Sequence, residues 1–539
     1  MAETETLPRS YAGAEPADPA GAKPAEAKSR SYGGVLKSSA LIGGSSVIEI
    51  GFRIIRTKAM ALLVGPAGVG MLGLYTVINE LVRNLAGLGL RTSGVRQIAE
   101  AAGTGEVERI ARTAATLRRV ALVSGLAGAA LLLVASPVVS RITFGDGRHT
   151  LAIALLALTI PLSDISDAQA ALLQGMRRIA DLARMTVLGA FLGTLCSIPI
   201  VYVWGEDGLA PSLVVTAAMG ILTSWWYARQ IGMERPRMTL RETLGESRQL
   251  LSFGLAFMAS GFMWMGSAYL VRLVILRSEG VEAAGFFQAA WALGGLYTNL
   301  LFRAMAADFY PRLTAAAADN RECNRLANEQ AEVMLLLACP GVLGTLTLAP
   351  AIIQMFYAAS FAPAVPILRW ICVGMLLQVT AWSLGYIVMA KGRQRIFFWS
   401  ELLSNVTLLA AVWAGVALFG LTGSGMGFAA MYSLYSVGTY FVVRHLTGFR
   451  LSGANWRLAA LFAPTIAVVF AAPYVMSQTA SFLLGLGATA VVSAYSVRRL
   501  CSLISIERMP EPVRRLLRVC RFVPIPAAPA PGVRVETPC

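Results

Sequence analysis

The stretch VIEIGFRIIRTKAMALLVGPAGVGMLGLYTVINELVR, Val47–Arg83, holds two apolar runs on either side of a Gly/Pro cluster, and both runs carry charge well inside them. Glu49, Arg53 and Arg56 lie in the first, Glu80 and Arg83 in the second. A helix crosses the ~30 Å hydrocarbon layer in about 20 apolar residues, and the runs at about 35–63 and 70–92 are long enough. An ionised side chain at mid-bilayer costs roughly 2.5–3.5 kcal/mol on insertion scales. Such charges must face water or a partner, so this hairpin predicts a membrane protein with a charged interior.

Working outward, the same pattern predicts twelve further spans, at about 118–140, 149–175, 179–204, 208–231, 248–276, 283–305, 331–357, 364–390, 396–420, 424–446, 456–475 and 480–500. Asp164, Asp167 and Glu401 add charge inside two of these spans, 149–175 and 396–420. The fold class is all-α, with about 14 transmembrane helices. The plainest account of the charges is local pairing, because Glu49 and Arg53 stand at i, i+4 and Glu80 and Arg83 at i, i+3, on one helix face each. That account leaves Arg56 and the Asp164/Asp167 pair without local partners.

With 56% hydrophobic and 14% charged residues, the 539-residue chain is not a soluble globular domain. Its net charge of +16 suggests nucleic acid, but the basic residues sort by loop parity instead. The stretches 92–119, 176–184, 229–248, 303–329, 391–395 and 444–457 hold 23 Arg or Lys, against three in the intervening turns. Both termini are therefore expected in the cytoplasm. Seven scattered cysteines without a C-x-x-C spacing, and two histidines, His149 and His445, give no metal site or disulfide. Cys196, Cys339 and Cys372 read as small apolar residues within spans.

The domain plan follows. Residues 1–34 form a disordered cytoplasmic tail, 35–231 a six-helix lobe, and 232–247, within RQIGMERPRMTLRETLGESR, a cytoplasmic linker. Residues 248–446 form a second six-helix lobe and 447–500 two additional helices, with no acid or base between Ala459 and Ser496. The tail 501–539 contains PEPVRRLLRVCRF, Pro510–Phe522, with Val513, Leu516, Leu517 and Cys520 on one helical face and arginines largely around the other. It suits a helix lying on an anionic leaflet or a solvated one, ahead of a Pro-rich end.

Three stretches together carry a resemblance: LLVGPAGVGMLGLY (Leu62–Tyr75), LLQGMRR (Leu172–Arg178) and GFFQAAWALGGLYTNLLFRAMAADFYPRL (Gly285–Leu313). The first is a Gly/Pro turn, with Gly65, Pro66, Gly68 and Gly70 expected to join two helices tightly. The last is more specific, with a Gly-aromatic entry, a Gln-x-x-Trp turn and a Tyr-Pro-Arg exit. Over most of residues 38–446 the chain resembles the O-antigen and exopolysaccharide flippases. These belong to the multidrug/oligosaccharidyl-lipid/polysaccharide exporter superfamily. It departs in its two extra C-terminal spans, which the related peptidoglycan-precursor flippases have, and in Asp164/Asp167, where neighbours often carry Asn.

The resemblance implies two six-helix lobes in a V around a central cavity. It implies a transporter rather than an enzyme, in the bacterial inner membrane, moving undecaprenyl-pyrophosphate-linked oligosaccharide to the periplasmic leaflet by alternating access. A sugar and pyrophosphate head is costly to bury in hydrocarbon, whereas the prenyl tail is at home there. Arginine suits pyrophosphate through its charged planar fork. The expected substrate-binding residues are Arg53, Arg56, Arg83 and Arg272, with Arg303 a weaker choice at the cytoplasmic end of its span. Glu49, Glu80, Asp164 and Asp167 are the ion-coupling candidates. Trp264, Tyr269, Trp291 and Tyr297 are placed to stack on sugars or, more simply, to pack against core or lipid. No cofactor is expected beyond a proton or sodium gradient or the membrane potential. The implied partners are the lipid-linked glycan, a polysaccharide polymerase and a chain-length regulator.

Other functions compete. A multidrug antiporter of the same superfamily shares the architecture, but its cavity favours acidic or apolar lining. A membrane polymerase or glycosyltransferase needs a larger outward loop than any here. A scaffold has no use for buried charge.

Overall fold

The computed structural model describes residues 24–232 and 238–503, side chains at 24–42, 240–244, 248–260, 297, 300, 304 and 307 excepted. Among the described residues the regular structure is entirely helical. Sixteen α-helices follow in order. The first seven are α1 (Pro24–Gly87), α2 (Leu90–Thr104), α3 (Val107–Phe144), α4 (Thr150–Leu156), α5 (Thr159–Gly175), α6 (Ile179–Trp204) and α7 (Leu209–Arg229). Then come α8 (Leu240–Glu279), α9 (Val281–Ala304), the short α10 (Tyr310–Ala315), α11 (Asn320–Phe356) and α12 (Ala364–Ala390). The last four are α13 (Gln394–Phe419), α14 (Thr422–Thr447), α15 (Gly453–Val475) and α16 (Gln478–Leu503). Among the described residues ten stretches are long and apolar enough to cross a membrane, and two of them, Gly43–Gly87 and Ile179–Arg229, each cover two of the expected spans. This is a multi-pass membrane protein.

Four sequence expectations need correction. The tail gives way to helix at Pro24, not after residue 34, because proline fits a first helical turn and Ala25, Glu26, Ala27 and Lys28 are strong helix formers. The basic stretch 92–119 is mostly helical, as α2 and the start of α3, and is supported by Arg96–Glu100 and Arg112–Glu108 pairs at i, i+4 spacing. The linker 232–247 becomes helix at Leu240, where Arg119 Nη1 donates to Met238 O (3.2 Å) and Thr116 Oγ1 to Glu246 Oε2 (2.9 Å). The fourth span breaks between α4 and α5, four residues before Pro161, whose ring and missing N–H oppose a continuous helix there. Residues 1–23 and 504–539, with the amphipathic stretch Pro510–Phe522, lie outside the described residues.

Contacts divide the chain into two compact units. The first comprises 1–289, 353–364 and 401–427, and the second 290–352, 365–400 and 428–539. In the first, Met60, Tyr75, Ile78, Leu132, Ile153, Ile160 and Val201 build one buried cluster, and Leu90, Ile98, Leu117, Leu172 and Met185 another. The first Gly/Pro motif works differently from a turn of several glycines. Only Gly65 leaves the helical conformation (φ 62°), so the break is one residue long. Gly70 serves a close approach instead, since a Cβ there would meet Val281 O at 2.3 Å, and one on Gly285 would meet Pro66 O at 1.9 Å. Two of the three stretches that carried the resemblance, the first and the last, thus touch backbone to backbone.

In the second unit Leu301, Phe309, Leu313, Ala327, Met334, Val379, Ile387 and Phe449 form the core. Its last two helices are tied in by polar contacts. Pro473 inside α15 takes away the N–H that would bond Val469 O. Buried Arg369 on α12 supplies the replacement, with Nη2 donating to Val469 O (3.1 Å) and Phe470 O (2.6 Å) under the Phe470 ring. Arg499 on α16 pairs with buried Glu332 on α11 at 2.9 Å. Asn328 Oδ1 accepts from Ser452 N (2.8 Å) and Asn455 Nδ2 (3.0 Å) at the start of α15.

Candidate functional site

The break before α5 aims Asp164 and Asp167 at the C-terminal part of α1. Thr159 Oγ1 donates to Asn79 Oδ1 at 2.6 Å and fixes α5 against α1. Small residues make room for the carboxylate: a Cβ on Gly125 of α3 would lie 3.3 Å from Asp164 Oδ2, and one on Gly87 3.8 Å from Oδ1. Arg83 Nη2 then donates to Asp167 Oδ2 at 2.9 Å, and Arg91 Nη1, from the first turn of α2, to Oδ1 at 3.1 Å. Leu88 and Gly89, both at positive φ, turn the chain between α1 and α2 so that Arg91 comes back over Asp167.

These groups line one cavity of about 250 Å3 with Glu80, Asn84 and Met265. Its lining carries two arginines and three carboxylates. Not all of its polar capacity is used. Arg83 Nε, Asn84 Oδ1 and Asp164 Oδ2 are buried with no hydrogen-bond partner among the described residues. A donor and two acceptors left unpaired at membrane depth are costly.

Of the expected residues, Arg83, Glu80, Asp164 and Asp167 are brought together here. The expected single cavity of four arginines is not formed by this group: Arg53, Arg56, Arg272 and Arg303 do not line it. Arg56 Nη1 donates to Thr216 Oγ1 (3.2 Å), tying α1 to α7. Arg272 is buried and donates to Gln288 Oε1 from Nη2 (2.8 Å) and Nε (3.1 Å), and to Ala268 O (2.9 Å). Gly73 leaves room for that Gln288, since a Cβ there would stand 2.9 Å from Gln288 Cγ. Glu80 stays within Coulombic reach of Arg272, Arg83 and Arg53, and of these Arg272 and Arg53 contribute field rather than lining. Arg53 and Arg303 are exposed and Glu49 is half-buried. Neither local pair forms: among the described residues no ion pair joins Glu49 to Arg53 or Glu80 to Arg83. Arg83 is held across 84 positions of sequence instead.

Among the aromatics, Tyr269 hydrogen-bonds Thr143 Oγ1 at 2.7 Å and Trp291 packs edge-on against Phe428 at 5.3 Å. Both are core contacts. Trp264 is half-buried, and the side chain of Tyr297 lies outside the description. Sequence reasoning missed Arg91 and Asn84. The signal for Arg91 was present in Gly87-Leu-Gly89, which ends α1 and returns the chain. Among the described residues no group of three His, Cys, Asp or Glu could hold a metal ion, and Cys196, Cys323, Cys339, Cys372 and Cys501 are free.

The all-helical architecture and a charged cavity at membrane depth define a transporter-like multi-pass protein, and comparison with known proteins gives the same fold. The chain is similar to an inward-facing multidrug resistance MATE family transporter of the MOP superfamily (16% identity, TM-score 0.61, 76% of this chain and 94% of that one). It is equally similar to the lipid II flippase MurJ in an inward closed conformation (12% identity, TM-score 0.61, 86% and 99%). A profile described as polysaccharide biosynthesis protein matches residues 59–366, more than half of the chain. The chain belongs to that polysaccharide biosynthesis protein family. By sequence it is 22% identical over 404 residues to the lipid III flippase of Escherichia coli (strain K12), covering 74% of this chain and 95% of that protein.

Proposed function

We propose that the protein is a flippase that carries lipid-linked oligosaccharide repeat units across the bacterial inner membrane, from the cytoplasmic to the periplasmic leaflet, for cell-surface polysaccharide such as O-antigen or exopolysaccharide. The observation that carries this reading is the Arg83–Asp167–Arg91 cluster, two guanidinium groups sharing one carboxylate on the wall of a cavity. Membership of the polysaccharide biosynthesis protein family and likeness to a lipid III flippase support it. The pyrophosphate of an undecaprenyl carrier fits two guanidinium groups, and the sugar hydroxyls fit the mixed donors and acceptors around them. Arg91 adjoins the basic stretch 92–119 that the parity rule puts on the cytoplasmic side with both termini, so the cavity is placed for loading from the leaflet where such lipids are assembled. Alternating access completes the cycle, and a polymerase and chain-length regulator receive the product.

The test is flipping of a labelled undecaprenyl-pyrophosphate oligosaccharide in proteoliposomes. Transport that depends on the protein and is lost in Arg83→Ala supports the reading; equal lipid redistribution in empty vesicles and proteoliposomes removes it. A second reading has one observation in its favour, the three carboxylates of the cavity, which suit a cationic drug. Efflux of a cationic dye without movement of the lipid-linked sugar would select it.

For the driving force, we assign ion coupling to Asp164, whose Oδ2 has no partner among the described residues. Collapsing the proton and sodium gradients separately identifies the ion, and transport indifferent to both removes the role. The membrane potential acts as well, at ~2.3 kcal/mol per charge per 100 mV. It favours outward movement of an anionic head while the arginines stay behind. An unchanged final distribution under a potassium-diffusion potential overturns that.

A further inference from the structure

The charged cavity has an apolar neighbour. A groove of about 730 Å3 runs beside it, lined by Val82, Leu85, Ala86 and Leu88 of α1 and the following turn and by Val123 and Ala127 of α3. At ~100° per residue, Val82, Leu85 and Ala86 share one face of α1, while Arg83, Asn84 and Gly87 on the adjoining face line the charged cavity. The same division occurs on α3, where Val120 lines the groove and Ala121 the cavity. Where α1 ends, consecutive residues part: Leu88 belongs to the groove and Gly89 to the cavity. Helix α1 ends at that turn, where the linings of the two spaces adjoin.

The groove faces outward on the membrane side. Val123 is 67% exposed, and Leu126 and Leu131 beside it are also exposed. Its volume is in the ~300–1,000 Å3 range of ligand sites. An occupant whose charged head sits between Arg83 and Arg91 lies beside the Leu88–Gly89 turn, where the lining of the cavity meets that of the groove. A bulk phospholipid keeps its head at the membrane surface and has no cause to thread it inward.

We infer that the groove seats the polyprenyl chain of the lipid-linked substrate while the pyrophosphate occupies the charged cavity. The inference rests on the flippase reading and adds chain recognition to it. The purpose is orientation: a seated chain fixes the head before the cavity closes.

The experiment uses the full protein in phosphatidylethanolamine/phosphatidylglycerol nanodiscs, titrated with undecaprenyl pyrophosphate and with farnesyl pyrophosphate. The longer carrier is expected to bind at least about tenfold more tightly, the worth of burying a few extra methylenes. Val123→Trp and Ala127→Trp, which fill the groove, are expected to erase that preference by weakening the longer carrier the more, while inorganic pyrophosphate, which has no chain, still binds and reports a folded protein. Leu133→Trp, exposed elsewhere on α3, keeps the preference. Filled variants that still prefer the longer carrier overturn the inference and leave the flippase reading standing, and they do so equally if native mass spectrometry shows them losing only bound phosphatidylethanolamine. Binding of neither carrier by the unsubstituted protein overturns both.

Discussion

Two arginines sit inside apolar surroundings, Arg83 in the first unit and Arg369 in the second, and they are satisfied in opposite ways. Arg83 meets a carboxylate that a second arginine shares, lies on a cavity, and keeps Nε unpaired among the described residues. Arg369 meets backbone carbonyls released by a proline and the face of Phe470, and it joins two helices. Each escapes the cost of an isolated charge in hydrocarbon. The difference teaches that a charge at membrane depth is read from its partner. A carboxylate beside open space can exchange its partner for a ligand, whereas a carbonyl inside a helix contact cannot be given up without loosening the fold.

The sharpest way to break this comparison is Arg83→Ala. It is expected to lower lipid-linked glycan flipping by at least about tenfold, the worth of a charge-assisted contact, with unchanged insertion and thermal stability. A stability loss with flipping intact would make Arg83 another Arg369. Exchanging the pair, Arg83→Asp with Asp167→Arg, sharpens the point: the ion pair returns but the geometry presented to the ligand changes, so stability again stays unchanged and transport stays low.

Next in size, Gly285→Val is expected to cost about 3 kcal/mol or more in thermal unfolding, because a side chain there has no space against Pro66 O. Arg369→Leu is expected to cost about 2 kcal/mol by stranding Val469 O while the folded fraction transports normally; a transport defect without a stability change would place Arg369 in the cargo path instead. The smallest effect, roughly 1 kcal/mol, is expected for Glu332→Gln, which weakens a partly screened pair with Arg499. Melting in nanodiscs measures all three.

Helices were legible in the sequence because a membrane span is written in length and hydropathy, and α12 begins and ends where its apolar run does, at Ala364 and Ala390. Polar helices were not legible in that way. The stretch 92–119 read as a loop because its charge outweighed its i, i+4 pairing, and the break before α5 was hidden by unbroken hydropathy around Pro161. The cavity was half legible. Asp164, Asp167, Glu80 and Arg83 stood out as charges at depth, but their pairing spans 84 residues and no local spacing encodes it. Arg91 fell at the end of the second expected span and was given no role, though it works with Arg83. The glycines of the first motif were assigned to a turn, when Gly70 owes its size to Gly285, more than two hundred positions away.

Pro473 and Arg369 also set an order in which this protein can change. With Arg369 in place, Pro473→Ala restores the missing N–H and leaves no polar group stranded, so it is a free step. The reverse first step, losing Arg369 while Pro473 remains, leaves an unpaired carbonyl inside the bilayer. A lineage can therefore shed the proline and afterwards the arginine, but not the arginine alone, and the two positions form a ratchet through which an apolar contact between α12 and α15 is reached from one side only.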